Sequence, residues 1–128
     1  MRRTIPILLA IAMVLAACGG GAASSDVSEG EKLFNAATIG SDPGCMTCHS
    51  LEPDKVIVGP SLAGIATDAA GDAADRGITT EAMLKIMITD PNDEVAEGFP
   101  ADTMPQDFGT QMSPTELDDV IAFLMTLK

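Results

Sequence analysis

Two cysteines three positions apart, with a histidine directly after the second, constrain this 128-residue chain more than any other feature: Cys45-Met46-Thr47-Cys48-His49. Residues at i, i+3 and i+4 share one face of a helical turn. Two thiols and an imidazole would then project from one side of the backbone, as covalent attachment of a haem requires. Cys45 and Cys48 reach the two vinyl edges of the porphyrin, and His49 addresses the iron.

The competing chemistries fit less well. A thioredoxin-like C-x-x-C pair belongs at a helix start after a strand, in a βαβ pattern that this sequence lacks. A structural zinc site needs four ligands, whereas His49 is the only histidine and the third cysteine, Cys18, stands directly after the N-terminal apolar run. One covalent haem c is therefore the expected cofactor.

A His-ligated iron raises the question of its sixth position. Beyond the leader the methionines are Met46, Met83, Met87, Met104, Met112 and Met125. Met46 lies within the attachment motif and does not reach the opposite face. Met83 and Met87 sit on the apolar side of a predicted helix and read as core filler, while Met125 is one turn from the chain end. Met104 and Met112 lie in or near a long segment without periodicity, where a backbone can wrap a cofactor edge. Met104 precedes Pro105, which stiffens the chain, so Met104 is the expected axial ligand and Met112 the alternative.

The N-terminus supplies an address. Arg2 and Arg3 precede an apolar run from Ile5 to Ala17; thirteen helical residues span about 20 Å, short of the ~30 Å hydrocarbon core. Residues 1–17 read as a signal peptide. The run ends in Leu15-Ala16-Ala17-Cys18, which resembles the lipobox of bacterial lipoproteins. That resemblance implies lipidation of Cys18 and cleavage before it, giving stable membrane anchoring. The other reading is an ordinary secretory signal with Cys18 incidental. Residues 18–25 are expected to be a flexible lipid-anchored linker; its Gly19–Ser25 part would have an r.m.s. span of about 15 Å and a limit of about 25 Å. Such a tether holds a domain, residues 26–128, against its membrane.

The formal net charge is −12, and all nineteen acidic residues lie beyond position 25. Removing Arg2 and Arg3 with the leader leaves five basic residues against nineteen acidic ones. Nucleic acid is excluded as a partner, since phosphate binding needs clustered Lys and Arg; the docking partner should be basic. Trp and Tyr are absent and Phe numbers four, so a bulky apolar cofactor would help fill the core of a domain this small.

Within the domain, Ser28 and Glu31 fit a capping box for a helix running to about Ala37, with Leu33, Phe34 and Ala37 turned inward. Gly30 within that helix costs propensity, which points to close approach of another backbone. Ile39–Gly44 is turn-rich, and Thr67–Gly77, almost all Ala, Asp and Gly, reads as a solvated acidic loop. Thr79 or Thr80 caps a helix that ends at Asp90-Pro91. Ser113-Pro114-Thr115-Glu116 opens the last helix, whose stripe is Leu117, Val120, Ile121, Leu124 and Leu127. No strand of useful length is expected.

These features together resemble a single-haem, class I cytochrome c across the mature chain. The matching residues are the Cys45–His49 motif, Gly59-Pro60 with Leu62, Met104-Pro105, and terminal helices carrying Gly30-Phe34 and Phe123-Leu124. The resemblance implies an all-α fold, with three to five short helices around one covalent haem and the first and last helices crossing at right angles. It also implies that the Pro60 carbonyl braces His49 by accepting a bond from its second ring nitrogen. Asp90-Pro91-Asn92, Gly98-Phe99-Pro100 and Met104-Pro105-Gln106-Asp107-Phe108-Gly109 further resemble cytochrome domains of membrane respiratory enzymes. Examples are those fused to oxidase subunit II and the monohaem subunit of alternative complex III. Many family members place Trp or Tyr near the haem propionates; here backbone N–H groups, Ser or Thr, or Lys55, Arg76 and Lys85 would have to serve.

The expected function is single-electron transfer in a bacterial respiratory or photosynthetic chain, with no catalysis by this chain alone. The expected location is the outer side of the cytoplasmic membrane, facing the periplasm or cell exterior. The partner would be a membrane-bound redox complex or another cytochrome. Alternatives are an integral haem subunit of a larger quinol-oxidising or terminal oxidase complex, a haem-based ligand sensor, and, last, a thiol oxidoreductase.

Overall fold

The computed structural model describes residues 24–128; the expected leader (1–17), Cys18 and most of the 18–25 linker lie outside the described residues. Helix α1 spans Val27–Phe34, and its N-cap is Asp26 rather than Ser28. The Asp26 carboxylate accepts from the backbone N–H groups of Ser28 and Glu29. Its own N–H donates to Asp119 Oδ1 at 2.6 Å, so the cap is fixed from outside the helix as well. An anchored carboxylate outcompetes a neighbouring hydroxyl for this role.

The helix also stops earlier than Ala37. Asn35 closes it, its side-chain amide donating to the Glu31 carbonyl at 2.8 Å. Ala37 is exposed, and its carbonyl accepts the Gly44 N–H at 2.9 Å. That bond closes a small antiparallel ladder, β1 (Thr38–Ile39) against β2 (Asp42–Pro43), in which Thr38 pairs with Pro43 and Ile39 with Asp42. The ladder delivers the chain to α2, the single turn Cys45–Cys48.

Thr67–Gly77 is not a loop. It forms most of α3, Ile65–Arg76, which buries Ala66, Ala69 and Ala73. These alanines recur at three and four, making a stripe too small to register as hydrophobic but narrow enough for close packing against α4. Alanine also has the highest helix propensity, which outweighs the interspersed aspartates. Gly77, at φ +68°, ends the helix in the left-handed cap conformation, with the Ile78 N–H bonding the Ala73 carbonyl at 3.0 Å.

Helix α4, Thr80–Thr89, starts on the Thr79 side chain and ends at Asp90 before Pro91, as the pre-proline restriction demands. After an irregular segment comes the short α5, Phe108–Gln111. Helix α6, Pro114–Leu124, carries the complete capping box of Ser113 and Glu116 with Pro at its first turn.

Helix α1 packs on α6, and α4 packs on α3, α5 and α6. The centre of the core is Phe34, Met83, Leu84 and Val120. Each such side chain contributes about 1.5–3 kcal/mol when fully buried. Phe34 and Phe123 meet at 5.4 Å with a 52° tilt, which adds about 0.5–1.5 kcal/mol to the α1–α6 contact. The architecture is helical, as expected, but with six helical segments among the described residues rather than three to five; two of them, α2 and α5, are single turns. No helix among those residues is long and apolar enough to cross a membrane.

Candidate cofactor site

The turn that carries Cys45 and Cys48 is held at its start by Gly44, whose carbonyl accepts the Thr47 N–H at 3.0 Å and the Thr47 hydroxyl at 2.5 Å. The turn ends one residue sooner than the spacing predicts. His49 donates its N–H to the Cys45 carbonyl but has left the helix, at φ −117° and ψ 141°.

Loop 50–58 returns to the same place. The Val58 and Gly59 N–H groups both bond the Cys48 carbonyl, at 3.1 and 2.9 Å. This brings Pro60 to the imidazole, whose Nδ1 lies 2.8 Å from the Pro60 carbonyl oxygen. A carbonyl only accepts, so Nδ1 carries the proton and Nε2 keeps the lone pair available to a metal. Gly59 lies against the other side of the contact: a Cβ there would fall 2.5 Å from His49 Cε1. The Gly59-Pro60 dipeptide, legible beforehand as a turn, therefore sets both the room for the ring and its orientation. The Gly59 contact was not foreseen, because a glycine before proline ordinarily signals only a turn.

Cys45, Cys48, His49, Pro60 and Met104 all line one cavity of about 520 Å³, within the range of small-molecule and cofactor pockets. Phe34, Leu84, Phe108, Val120 and Leu124 form its apolar floor. The two cysteines are free and half-buried. Burial pushes the Cys45 thiol up from its ordinary value, the opposite of the depressed thiol that redox-active C-x-x-C pairs display. Among the described residues no group of three or more His, Cys, Asp or Glu side chains is placed to hold a metal ion, which leaves the zinc alternative without ligands.

Met104 is half-buried at the cavity wall, whereas Met112 is only 6% exposed and belongs to the hydrophobic core, although it too borders the cavity. The segment from Pro91 to Pro105 forms much of the wall around Met104. The cavity lining includes no Lys or Arg, so Lys55, Arg76 and Lys85, named as candidate propionate partners, lie off its wall. Lys55 pairs with Glu52 at 2.6 Å, Arg76 pairs with Asp93 and Glu94, and Lys85 borders a shallow groove beside α6. Lys55 and Arg76 are thus drawn to nearby carboxylates of an acidic surface. What surrounds the cavity is acidic instead: Asp68, Asp72, Glu94, Glu97 and Asp102.

The residues present fit a covalent haem. Two free thiols, an imidazole with its metal-binding nitrogen fixed by tautomer, a thioether and an apolar floor border one space. Comparison with known proteins agrees. The family described as Cytochrome c matches residues 27–128. Cytochrome c2 iso-1 of Magnetospirillum molischianum is 33% identical over 94 residues, covering 66% of this chain and 90% of that protein. Cytochrome c2 iso-1 of Magnetospirillum fulvum is likewise 33% identical over 94 residues, covering 66% of this chain and 91% of that protein.

Proposed function

The chain belongs to the cytochrome c family, and we propose that its haem is attached through Cys45 and Cys48, with His49 and Met104 as the axial ligands. It is an electron-transfer protein rather than an enzyme, carrying one covalent haem c and exchanging electrons with other redox proteins. When bound, the haem supplies a one-electron iron couple, whose potential a methionine ligand raises.

The protein's own residues do the rest. Pro60 holds the His49 proton on Nδ1 and so keeps Nε2 directed to metal binding. The apolar floor excludes water, and a low local dielectric favours the less charged state of the couple. Met104, rather than the core-embedded Met112, is the sixth ligand, because a half-buried loop side chain reaches the cofactor without opening the core. The observation that carries this reading is the shared cavity of Cys45, Cys48, His49 and Met104.

The location is inferred from the sequence. With Cys18 lipidated and residues 18–25 as tether, the protein works at the outer face of a bacterial membrane, in a respiratory or photosynthetic chain. The acidic mouth supports a basic docking partner, either a membrane-bound redox complex or another cytochrome. The short linker also favours a second reading, a permanent haem subunit of a larger quinol-oxidising or oxidase complex. A pyridine haemochrome spectrum with an intact mass tests haem and lipid together. One c-type haem and a lipid-sized increment on a chain beginning at Cys18 are expected; a haem-free protein would overturn the reading. Mild detergent extraction followed by size analysis separates a free carrier from a permanent subunit.

A further inference from the structure

The segment between α4 and α5 is long, lines the cavity and has few backbone bonds of its own. From residue 93 to 106 the backbone N–H groups of Asp93 and Phe99 bond nearby carbonyls, to Asp90 at 2.9 Å and Ala96 at 3.1 Å. Its two ends are joined by side chains. Asn92 Nδ2 donates to Asp102 Oδ1 at 2.7 Å, and the Asp102 N–H donates to Asn92 Oδ1 at 2.9 Å. These bonds fix the orientation of the carboxamide, because flipping it would set donor against donor and oxygen against oxygen.

Asp102 is also in the left-handed region, at φ 59°, a conformation most non-glycine residues avoid. Met104 follows two residues later. Pro105 and a Gln106 side-chain bond to the Met104 carbonyl at 2.8 Å stiffen the exit. The entry to Met104 is therefore set by the conformation of Asp102, and that conformation is held by Asn92.

We propose that Asn92 is a positioning residue. Its carboxamide clamps the backbone and side chain of Asp102 and so presents the Met104 sulfur to the cofactor face opposite His49. The inference rests on Met104 being the sixth ligand. Asn92 is exposed, so the clamp contributes to the seating of the loop more than to global stability.

The test uses the full haem-loaded chain and two readouts: the methionine-to-iron charge-transfer band of the oxidised protein and carbon monoxide uptake by the reduced protein. Met104→Ala comes first. An undiminished band in that variant would overturn the ligand reading itself. If the band is lost, Asn92→Ala is expected to shift the seated-to-detached balance by about tenfold, the size of two modest hydrogen bonds. The band should weaken and carbon monoxide should enter, while the thermal unfolding midpoint changes little. Asn92→Asp sets two carboxylates face to face and should act at least as strongly.

The double substitution Asn92→Asp with Asp102→Asn restores both bonds, the side-chain one with donor and acceptor exchanged and the other still donated by the backbone N–H of position 102, and should recover the band and exclude carbon monoxide. A band that survives both single Asn92 substitutions, or a double variant no better than Asn92→Asp alone, overturns the clamp while leaving Met104 as ligand.

Discussion

Gly30 on α1 and Asp119 on α6 touch through their backbones: a Cβ added to Gly30 would lie 1.9 Å from the Asp119 carbonyl oxygen. The same aspartate reaches back with its side chain to the N-cap of α1. One residue thus fixes both where α1 begins and how near it approaches α6. Because the obstacle is backbone, it does not rotate away. Gly30→Ala must separate the two helices and the Phe34–Phe123 pair that packs beside them. A loss of about 1–3 kcal/mol or more is expected from overpacking of this kind, read from the denaturant midpoint of the haem-loaded protein. Gly71, in the middle of α3 with nothing within 4 Å of its Cβ position, gives the opposite result. There Gly71→Ala should stabilise by about 0.5–1 kcal/mol.

Gly59 offers a test of His49 as the proposed iron ligand rather than of the fold. Gly59→Ala puts a methyl group 2.5 Å from His49 Cε1, so the ring must move and its bond to Pro60 must lengthen. A weaker Nδ1–H bond makes the imidazole less basic and stabilises ferric iron less. The reduction potential should rise by something on the order of tens of millivolts. An unchanged potential would mean that the contact is relieved elsewhere, without disturbing the histidine.

These glycines mark the boundary of what could be read in advance. Helix α6 was legible to its cap because Ser113, Pro114 and Glu116 act locally and its apolar stripe is made of large residues. Helix α3 was not, since its buried face is alanine and its exposed face aspartate, which together resemble a solvated linker in composition. The Ser28 cap failed because Asp26 is held by Asp119, 93 positions away. At the site, the thiols and imidazole are adjacent in sequence and were visible at once. The Asn92–Asp102 clamp joins residues ten apart in a segment without periodicity, and no pattern announces it.

A pair of acids beside the site makes stability depend on pH. Burial pushes Asp42 up from its ordinary value, helped by the neighbouring Asp107. The Gln111 amide first, and Asp42 second, pull Asp107 down. Protonated Asp42 therefore favours the fold, and its contribution is present below the ordinary value of 3.8 and lost as pH rises through the elevated one. The Asp107 contribution runs the other way, present above its ordinary value of 3.8 and lost as pH falls through the depressed one. Asp42→Asn supplies a donor to Asp107 at every pH. It should raise the unfolding midpoint at neutral pH and have much less effect below the ordinary value of 3.8, where the raised native carboxyl carries its proton. Equal gains at both pH values would show that the two carboxyls do not share a proton.

The acidic mouth gives the last expectation, which concerns encounter rather than stability. Among the described residues, Asp68, Asp72 and Glu97 border the cavity without entering an ion pair, and Val56, Ile57 and Val58 lie exposed on the loop leading to Gly59. An apolar patch beside unpaired carboxylates suits a partner with a cationic rim, because the charges steer and the apolar contact seats. Electron transfer to a basic redox protein should slow as salt rises and charges are screened. Asp72→Lys should lower the association rate by about tenfold at low ionic strength, within the range over which steering acts, and by much less at high salt. The same substitution should accelerate transfer to an acidic redox protein. Stopped-flow oxidation of the reduced protein at several salt concentrations measures both, and a rate indifferent to salt and to Asp72→Lys would place the docking surface away from this mouth.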